Sequence, residues 1–234
     1  MIKHYKRRSI KMNQLFNVAS APTEFRANHC FEGEESKFIE LMMMYECAIK
    51  EITTKLEILS KEFTVKRNRC PIEFISSRVK SPESIIGKLE RKDLNISVKN
   101  ISKYLDDIAG VRVICSFIDD IFDIADMLTQ QDDIVLLECK NYIKNPKPNG
   151  YRSLHLIVEV PVFFSDRKQP MRVEIQIRTI AMDFWASLEH QLKYKKDIDN
   201  ATDIVNELKE CADIISQTDD RMLNIKNQIF QKPT

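Results

Sequence analysis

Between Glu34 and Phe63 the apolar residues Phe38, Leu41, Met42, Tyr45, Ile49, Ile52, Leu56, Leu59 and Phe63 recur at intervals of three and four. That spacing keeps one side of a helix apolar and predicts a long amphipathic helix over 34–63. The pattern then shortens. Residues 72–76 read as a brief strand, and Ser81-Pro82-Glu83 opens a helix with a cap hydroxyl, a proline at the first position and an acid in the first turn. A strand is predicted over 110–117, a helix over 119–130 and another strand over 134–139. Two prolines and an Asn-Gly pair make 145–150 a loop. Residues 153–161 and 171–178 are further strands, the second running directly into a helix that reaches Tyr194. A last long helix covers about 201–230. Residues 1–33 show no sustained periodicity and are expected to be mobile or loosely docked, which leaves 34–234 as a single domain. The predicted class is α/β (α+β): one sheet flanked by helices, with long helical arms.

Composition narrows the function classes. The 234 residues, 43% hydrophobic and 30% charged, are enough for one sizeable core. No apolar run approaches the roughly eighteen residues that a membrane span needs. The basic N-terminus (Lys3, Lys6, Arg7, Arg8, Lys11) lacks the apolar run and cleavage site of a secretory signal. Six scattered cysteines form no CxxC pair, which argues against a zinc or redox motif and predicts reduced thiols in a cytoplasm. Only four glycines occur, at 33, 87, 110 and 150, so neither a Walker loop nor a GxGxxG turn can be built. Any nucleotide phosphate must therefore be held by lysine and arginine side chains.

Charge is segregated beneath a net +1. Residues 66–92 carry eight basic and three acidic side chains, whereas 106–138 carry nine acids against Arg112 alone. Residues 140–152 carry Lys140, Lys144, Lys147 and Arg152 with no acid. A solvated face would usually interleave the signs, so such blocks suggest anion-binding surfaces beside a cation-binding one, with the solvated face an equal alternative for any block alone.

Three places could carry chemistry. In the strand 171–178, Val173, Ile175 and Ile177 face one way, and Arg172, Glu174, Gln176 and Arg178 face the other. If this strand neighbours the one beginning at Gly110, Asp107 and Glu174 can converge, and two carboxylates with phosphate oxygens suit magnesium. Isolated, the strand is only a half-solvated sheet face. Arg78, Lys80, Lys88 and Arg91 form a basic cluster, the last two on one helix face, which could bind phosphate or simply meet solvent. Tyr151, beside Lys147 and Arg152 and just past a tight turn, offers a ring for base stacking or a cap to the sheet edge. Read that way, Tyr151→Phe should be mild and Tyr151→Ala costly. His155 is as readily a satisfied core histidine as a substrate contact.

The segments FISSRVKSPESIIGKLERK (74–92), DDIAGVRVICSF (106–117), NPKPNGYRSLHL (145–156) and VEIQIRTIAMDFWASLEHQLKYK (173–195) together resemble the RelA/SpoT synthetase domain, in particular the single-domain small alarmone synthetases. The resemblance implies a nucleotidyltransferase-like mixed sheet of about five strands. It also implies transfer of a diphosphate from ATP to the ribose 3′-hydroxyl of GDP or GTP. By that resemblance Asp107 and Glu174 would hold magnesium, with Glu174 also drawing the hydroxyl proton. Arg78 and Arg112 would sandwich adenine, and Lys80, Ser84, Lys88 and Arg91 would hold the phosphates. Tyr151 would stack on guanine, with Lys147, Arg152, His155 and Gln176 lining the acceptor site. The family leans toward homotetramers.

Longer relatives add a hydrolase domain with a His-Asp motif and regulatory domains. Here His4, His29, His155 and His190 precede Tyr, Cys, Leu and Gln, so synthesis without hydrolysis is expected. In one branch of the small synthetases Glu73 and Phe74 have counterparts at an alarmone-binding cleft, along with an asparagine where this chain has Asp183. An acid facing polyphosphate is unfavourable there, which sets product activation in doubt. Two rivals remain: a non-catalytic nucleotide- or RNA-binding regulator on the same fold, and an enzyme that moves a nucleotidyl group and releases pyrophosphate.

Overall fold

The computed structural model describes residues 33–193 and 201–230. The expectation for residues 1–33 falls, Gly33 apart, outside the described residues, as does Tyr194. The chain runs α1 (Glu35–Arg67), β1 (Ile72–Val79), α2 (Pro82–Arg91), α3 (Val98–Tyr104), β2 (Ala109–Cys115), α4 (Ile118–Thr129), β3 (Val135–Asn141), β4 (Leu154–Phe163), β5 (Lys168–Thr179), α5 (Ile180–Lys193) and α6 (Ala201–Phe230). Every predicted element is present. The seven-residue α3 was not anticipated; the Ser97 hydroxyl caps it by accepting from the Asn100 amide at 3.2 Å.

The five strands lie in the order β1-β2-β5-β4-β3. Pairing is antiparallel except between β2 and β5, which run parallel. The sheet is therefore mixed, and its one parallel pair, β2 and the central β5, joins strands that lie far apart in sequence.

Period-two alternation divides the faces. Val111, Val113, Val173, Ile175, Ile177, Leu156 and Val158 turn to one side and join the core. α1 covers that side, burying Phe38, Leu41, Tyr45, Ile49, Ile52, Leu56, Leu59 and Phe63 against the sheet, and α4 packs beside it. Ile52 and Leu56 are fully buried, and burial of each such side chain contributes about 1.5–3 kcal/mol. With α1 and α4 on one face, the opposite face stays open around Glu174 and Gln176.

The C-terminal helix α6 is pinned by polar contacts. Thr179 Oγ1 donates to Asp219 Oδ2 at 2.6 Å, and Trp185 Nε1 donates to the Leu208 carbonyl at 2.8 Å. Lys226 reaches Asp119, and Asp120, fully buried, is paired with Arg69.

Candidate active site

Two neighbouring rungs of the sheet build the open face. One aligns Ser76, Arg112, Gln176, His155 and Lys140 across all five strands; the next aligns Arg78, Gly110, Glu174, Ile157 and Glu138. The sequence left open whether the strands carrying Asp107 and Glu174 are neighbours. They are: Gly110 lies directly opposite Glu174, and Asp107 ends the turn just before β2.

The carboxylates sit where two cavities meet. A smaller one, about 290 Å³, is lined by Ser76, Ser77, Arg78, Gly110 and Arg112. A larger one, about 700 Å³, runs past Lys147, Asn149, Tyr151, His155 and Arg178 to α5. Both share Asp107, Glu174, Gln176, Arg78 and Arg112. Gly110 contributes no side chain, so the floor of the smaller cavity stays bare between Arg78 and Glu174.

Asp107 Oδ2 takes Lys80 Nζ and Lys88 Nζ, each at 2.7 Å. Burial pushes the Asp107 carboxyl up, but the two ammonium groups more than reverse this and hold it below the usual carboxylate range. Its other oxygen, Oδ1, is buried with no hydrogen-bond partner. A buried carboxylate oxygen without a partner is costly, and a cation on that side would relieve the cost. Glu174 is also part-buried. Burial raises its pKa, while hydrogen bonds from His155 and Gln176 lower it to a value below the ordinary one, and the Asp107 charge opposes them. Both groups are thus carboxylates at neutral pH, and the residues present fit a hard divalent cation.

Tyr151 is held more firmly than a stacking platform needs. Its hydroxyl lies 2.8 Å from His155 Nε2 and accepts from Arg178 Nη2 at 2.8 Å. Burial pushes the hydroxyl above its ordinary pKa, against the pull of Arg178. Lys147 lies 4.7 Å from the ring centroid, between Tyr151 and Tyr142. The mild Tyr151→Phe effect read from the sequence is therefore revised. Removing the hydroxyl leaves a buried donor and acceptor short of a partner, which costs about 1.4 kcal/mol, or about tenfold. If Tyr151 takes the stacking role that the resemblance implies, Tyr151→Phe should weaken use of the guanine nucleotide about tenfold and leave ATP affinity unchanged, as separate titrations of the two would show.

Not every predicted residue reaches the cleft. Arg152 turns away: Nη1 donates to the Ala212 carbonyl at 3.1 Å and Nη2 to Asp213 Oδ1 at 3.0 Å, so it secures α6. Nothing near Arg152 in sequence foretells partners some sixty residues on. Lys80 and Lys88 point at Asp107, while Ser84 and Arg91 are exposed along the same side of α2 as Lys88. Arg178, not singled out from the sequence as a site residue, is 4% exposed and lines the larger cavity. The alternation that put it on the Glu174 face was the available signal. Asp183 accepts from Arg178 at 3.1 Å and lies 3.5 Å from Arg112, so its charge is matched by two arginines.

A mixed sheet with one open face, basic residues on both flanks and two carboxylates at the junction of two cavities is the build of a protein that handles anionic ligands. The comparisons agree with that class. A family model described as a region found in RelA / SpoT proteins matches residues 77–199. GTP pyrophosphokinase YwaC of Bacillus subtilis (strain 168) is 48% identical over 188 residues, covering 80% of this chain and 90% of that protein. GTP pyrophosphokinase YjbM of the same strain is 32% identical over 196 residues, covering 84% and 92%. The crystal structure of small alarmone synthetase 1 from Bacillus subtilis bound to its product pppGpp superposes with a TM-score of 0.76 at 33% identity, covering 85% of this chain and all of that one. The chain belongs to the RelA/SpoT family.

Proposed function

We propose that this protein is a GTP pyrophosphokinase that transfers the β,γ-diphosphate of ATP to the ribose 3′-hydroxyl of GDP or GTP, making (p)ppGpp and AMP. The observation that carries the reading is the junction itself: Asp107 and Glu174 belong to both cavities, so nucleotides in the two would meet above them. ATP takes the smaller cavity, its adenine between Arg78 and Arg112. Its phosphates run toward Lys80, Ser84, Lys88 and Arg91 on and before α2. The acceptor takes the larger cavity, guanine on the Tyr151 ring in the place Lys147 now fills, with that ammonium following the phosphates.

The 3′-oxygen attacks the β-phosphorus, a bond forms between them, and the bond from β-phosphorus to the α,β-bridging oxygen breaks. AMP leaves with that oxygen. The hydroxyl proton passes to Glu174, which its two hydrogen-bond donors keep ionised and ready to accept it. Such a displacement needs positioning and charge neutralisation more than covalent chemistry. Magnesium, held by Asp107 Oδ1 and Glu174, would neutralise the phosphate oxygens. Among the described residues no cluster of three or more His, Cys, Asp or Glu could hold an ion unaided, so phosphate oxygens and water would have to supply its other ligands.

Among the described residues no helix is long and apolar enough to cross a membrane, and we read the protein as cytoplasmic. The exposed row Ile180, Phe184, Leu188 and Leu192 along α5 supports the homo-oligomer, a tetramer, that the resemblance implies. Incubation of the purified chain with ATP and GDP should give AMP and guanosine 5′-diphosphate 3′-diphosphate only with a divalent cation. The product should persist on further incubation, manganese included. Steady release of pyrophosphate from added product would refute the synthesis-only reading.

A further inference from the structure

Five side chains close into a ring on the open face of the sheet. Arg178 Nη2 donates to the Tyr151 hydroxyl at 2.8 Å and to Gln176 Oε1 at 2.6 Å. The Tyr151 hydroxyl lies 2.8 Å from His155 Nε2, and His155 Nδ1 lies 3.3 Å from Glu174 Oε1. On the other arm Gln176 Nε2 donates to Glu174 Oε2 at 2.9 Å. Asp183 anchors the guanidinium from outside the ring, accepting from Nη1 at 3.1 Å.

A guanidinium can only donate, and this fixes every bond that follows. The Tyr151 oxygen accepts from Arg178, so its own proton points at His155 Nε2. With the imidazole neutral, Nε2 is then the acceptor, and Nδ1 carries the proton that faces Glu174. On the second arm the guanidinium takes the amide oxygen of Gln176, which leaves the amide nitrogen facing Glu174. Both arms run from donor to acceptor, starting at Arg178 and ending on the two oxygens of Glu174.

We infer that Arg178 is a positioning residue that sets the hydrogen-bond direction of the site, delivering one donor to each Glu174 oxygen and tying the guanine platform Tyr151 to the base. This rests on the proposed roles of Glu174 and Tyr151. The consequence is geometric. Each Glu174 oxygen keeps one direction free, for the cation or for the attacking hydroxyl, and the carboxylate cannot rotate without breaking an arm. A lysine at 178 keeps the charge but is shorter and lacks the planar fork that meets Asp183, Tyr151 and Gln176 together.

The test uses the full chain with ATP and GDP, and reads steady-state constants together with the 15N imidazole signals of histidine-labelled protein. Arg178→Lys should lower kcat/KM for GDP about tenfold and move the KM for ATP by less than about twofold. His155 should shift from the Nδ1–H tautomer to a mixture. Tyr151→Phe leaves the guanidinium in place but removes the proton aimed at Nε2, so it should release the tautomer as well. Because the two residues act through one chain, the double variant should lose no more than the worse single one. Retention of Nδ1–H in both variants, multiplying losses, or equal damage to ATP and GDP would overturn the inference. An inactive Glu174→Gln beside a wild-type-like Arg178→Lys overturns this inference alone. A Glu174→Gln that keeps its turnover removes the proposed function as well.

Discussion

A Glu174→Gln protein is expected to fold, to melt modestly below the wild-type temperature and to lose about 10²–10⁴-fold in turnover. Two readings of Glu174 diverge here. As a solvated residue on a half-open sheet face it would tolerate an isosteric amide within about 0.5 kcal/mol. The structure gives it a different setting: part-buried, hydrogen-bonded by Gln176 Nε2 and His155 Nδ1, and close enough to Asp107 for the two charges to oppose each other. On the proposed mechanism an amide removes the proton acceptor and a cation ligand together. It relieves that repulsion but turns its own NH2 toward one of the two donors, so a modest loss of stability should accompany the large loss of activity. Asp107→Asn should behave similarly in turnover. It should cost more stability, because Lys80 and Lys88 would then face each other without a counter-charge. Both carboxylates have folded pKa values below their ordinary ones. Their contribution to stability is therefore present above the ordinary carboxylate range and is lost only as the pH falls through the lowered values. Turnover of Glu174→Gln above about a tenth of wild type would remove the residue from the mechanism.

The second large effect is expected at Gly150, where Gly150→Ala should detach the loop that carries Lys147 and Tyr151 from α6. The glycine holds φ +89°, a region that L side chains rarely adopt, and an added Cβ would lie 2.6 Å from Ala212 Cβ and 3.3 Å from Lys209 Cα. Backbone strain of about 1–3 kcal/mol and an overpacking cost of about 1–3 kcal/mol act together. The loop also carries Tyr151 and, through Asn149, a 2.9 Å hydrogen bond to Glu189 on α5. Loss of guanine-nucleotide use should accompany a lower melting temperature, with ATP affinity spared. Ala212→Gly in the same chain should restore part of the loss by removing the closer contact, leaving the strain at φ. Failure of that rescue would show that the contact with α6 is not what the glycine protects.

What the sequence disclosed and what it withheld follow from range. Local periodicity was enough for α1, because Phe38 to Phe63 repeat one helical face, and for β5, because Val173, Ile175 and Ile177 alternate with Glu174, Gln176 and Arg178. The cap at Ser81 and Pro82 located α2 within a residue. α3 escaped because seven residues hold too few turns for a period, although Ser97 with Ile101 and Leu105 behind it was a faint signal. The parallel pairing of β2 with β5 joins residues more than sixty apart, and no local pattern encodes it. The same holds for the side chains that went elsewhere. Arg152 reads as an acceptor cation beside Tyr151 until α6 offers it the Ala212 carbonyl and Asp213. Asp183 looks like an acid aimed at polyphosphate until Arg178 and Arg112 are seen beside it. Residue identities marked the charged groups; the long-range pairing decided which of them meet.

The position of an isotope in the product tests the central claim most directly. ATP labelled at the α- or at the β-phosphorus, incubated with GDP, a divalent cation and the purified chain, distinguishes the bond that breaks. Diphosphate transfer places the β-label in the guanosine product and the α-label in AMP. Appearance of the α-label in the guanosine product, with the β-label in free pyrophosphate, would contradict the account.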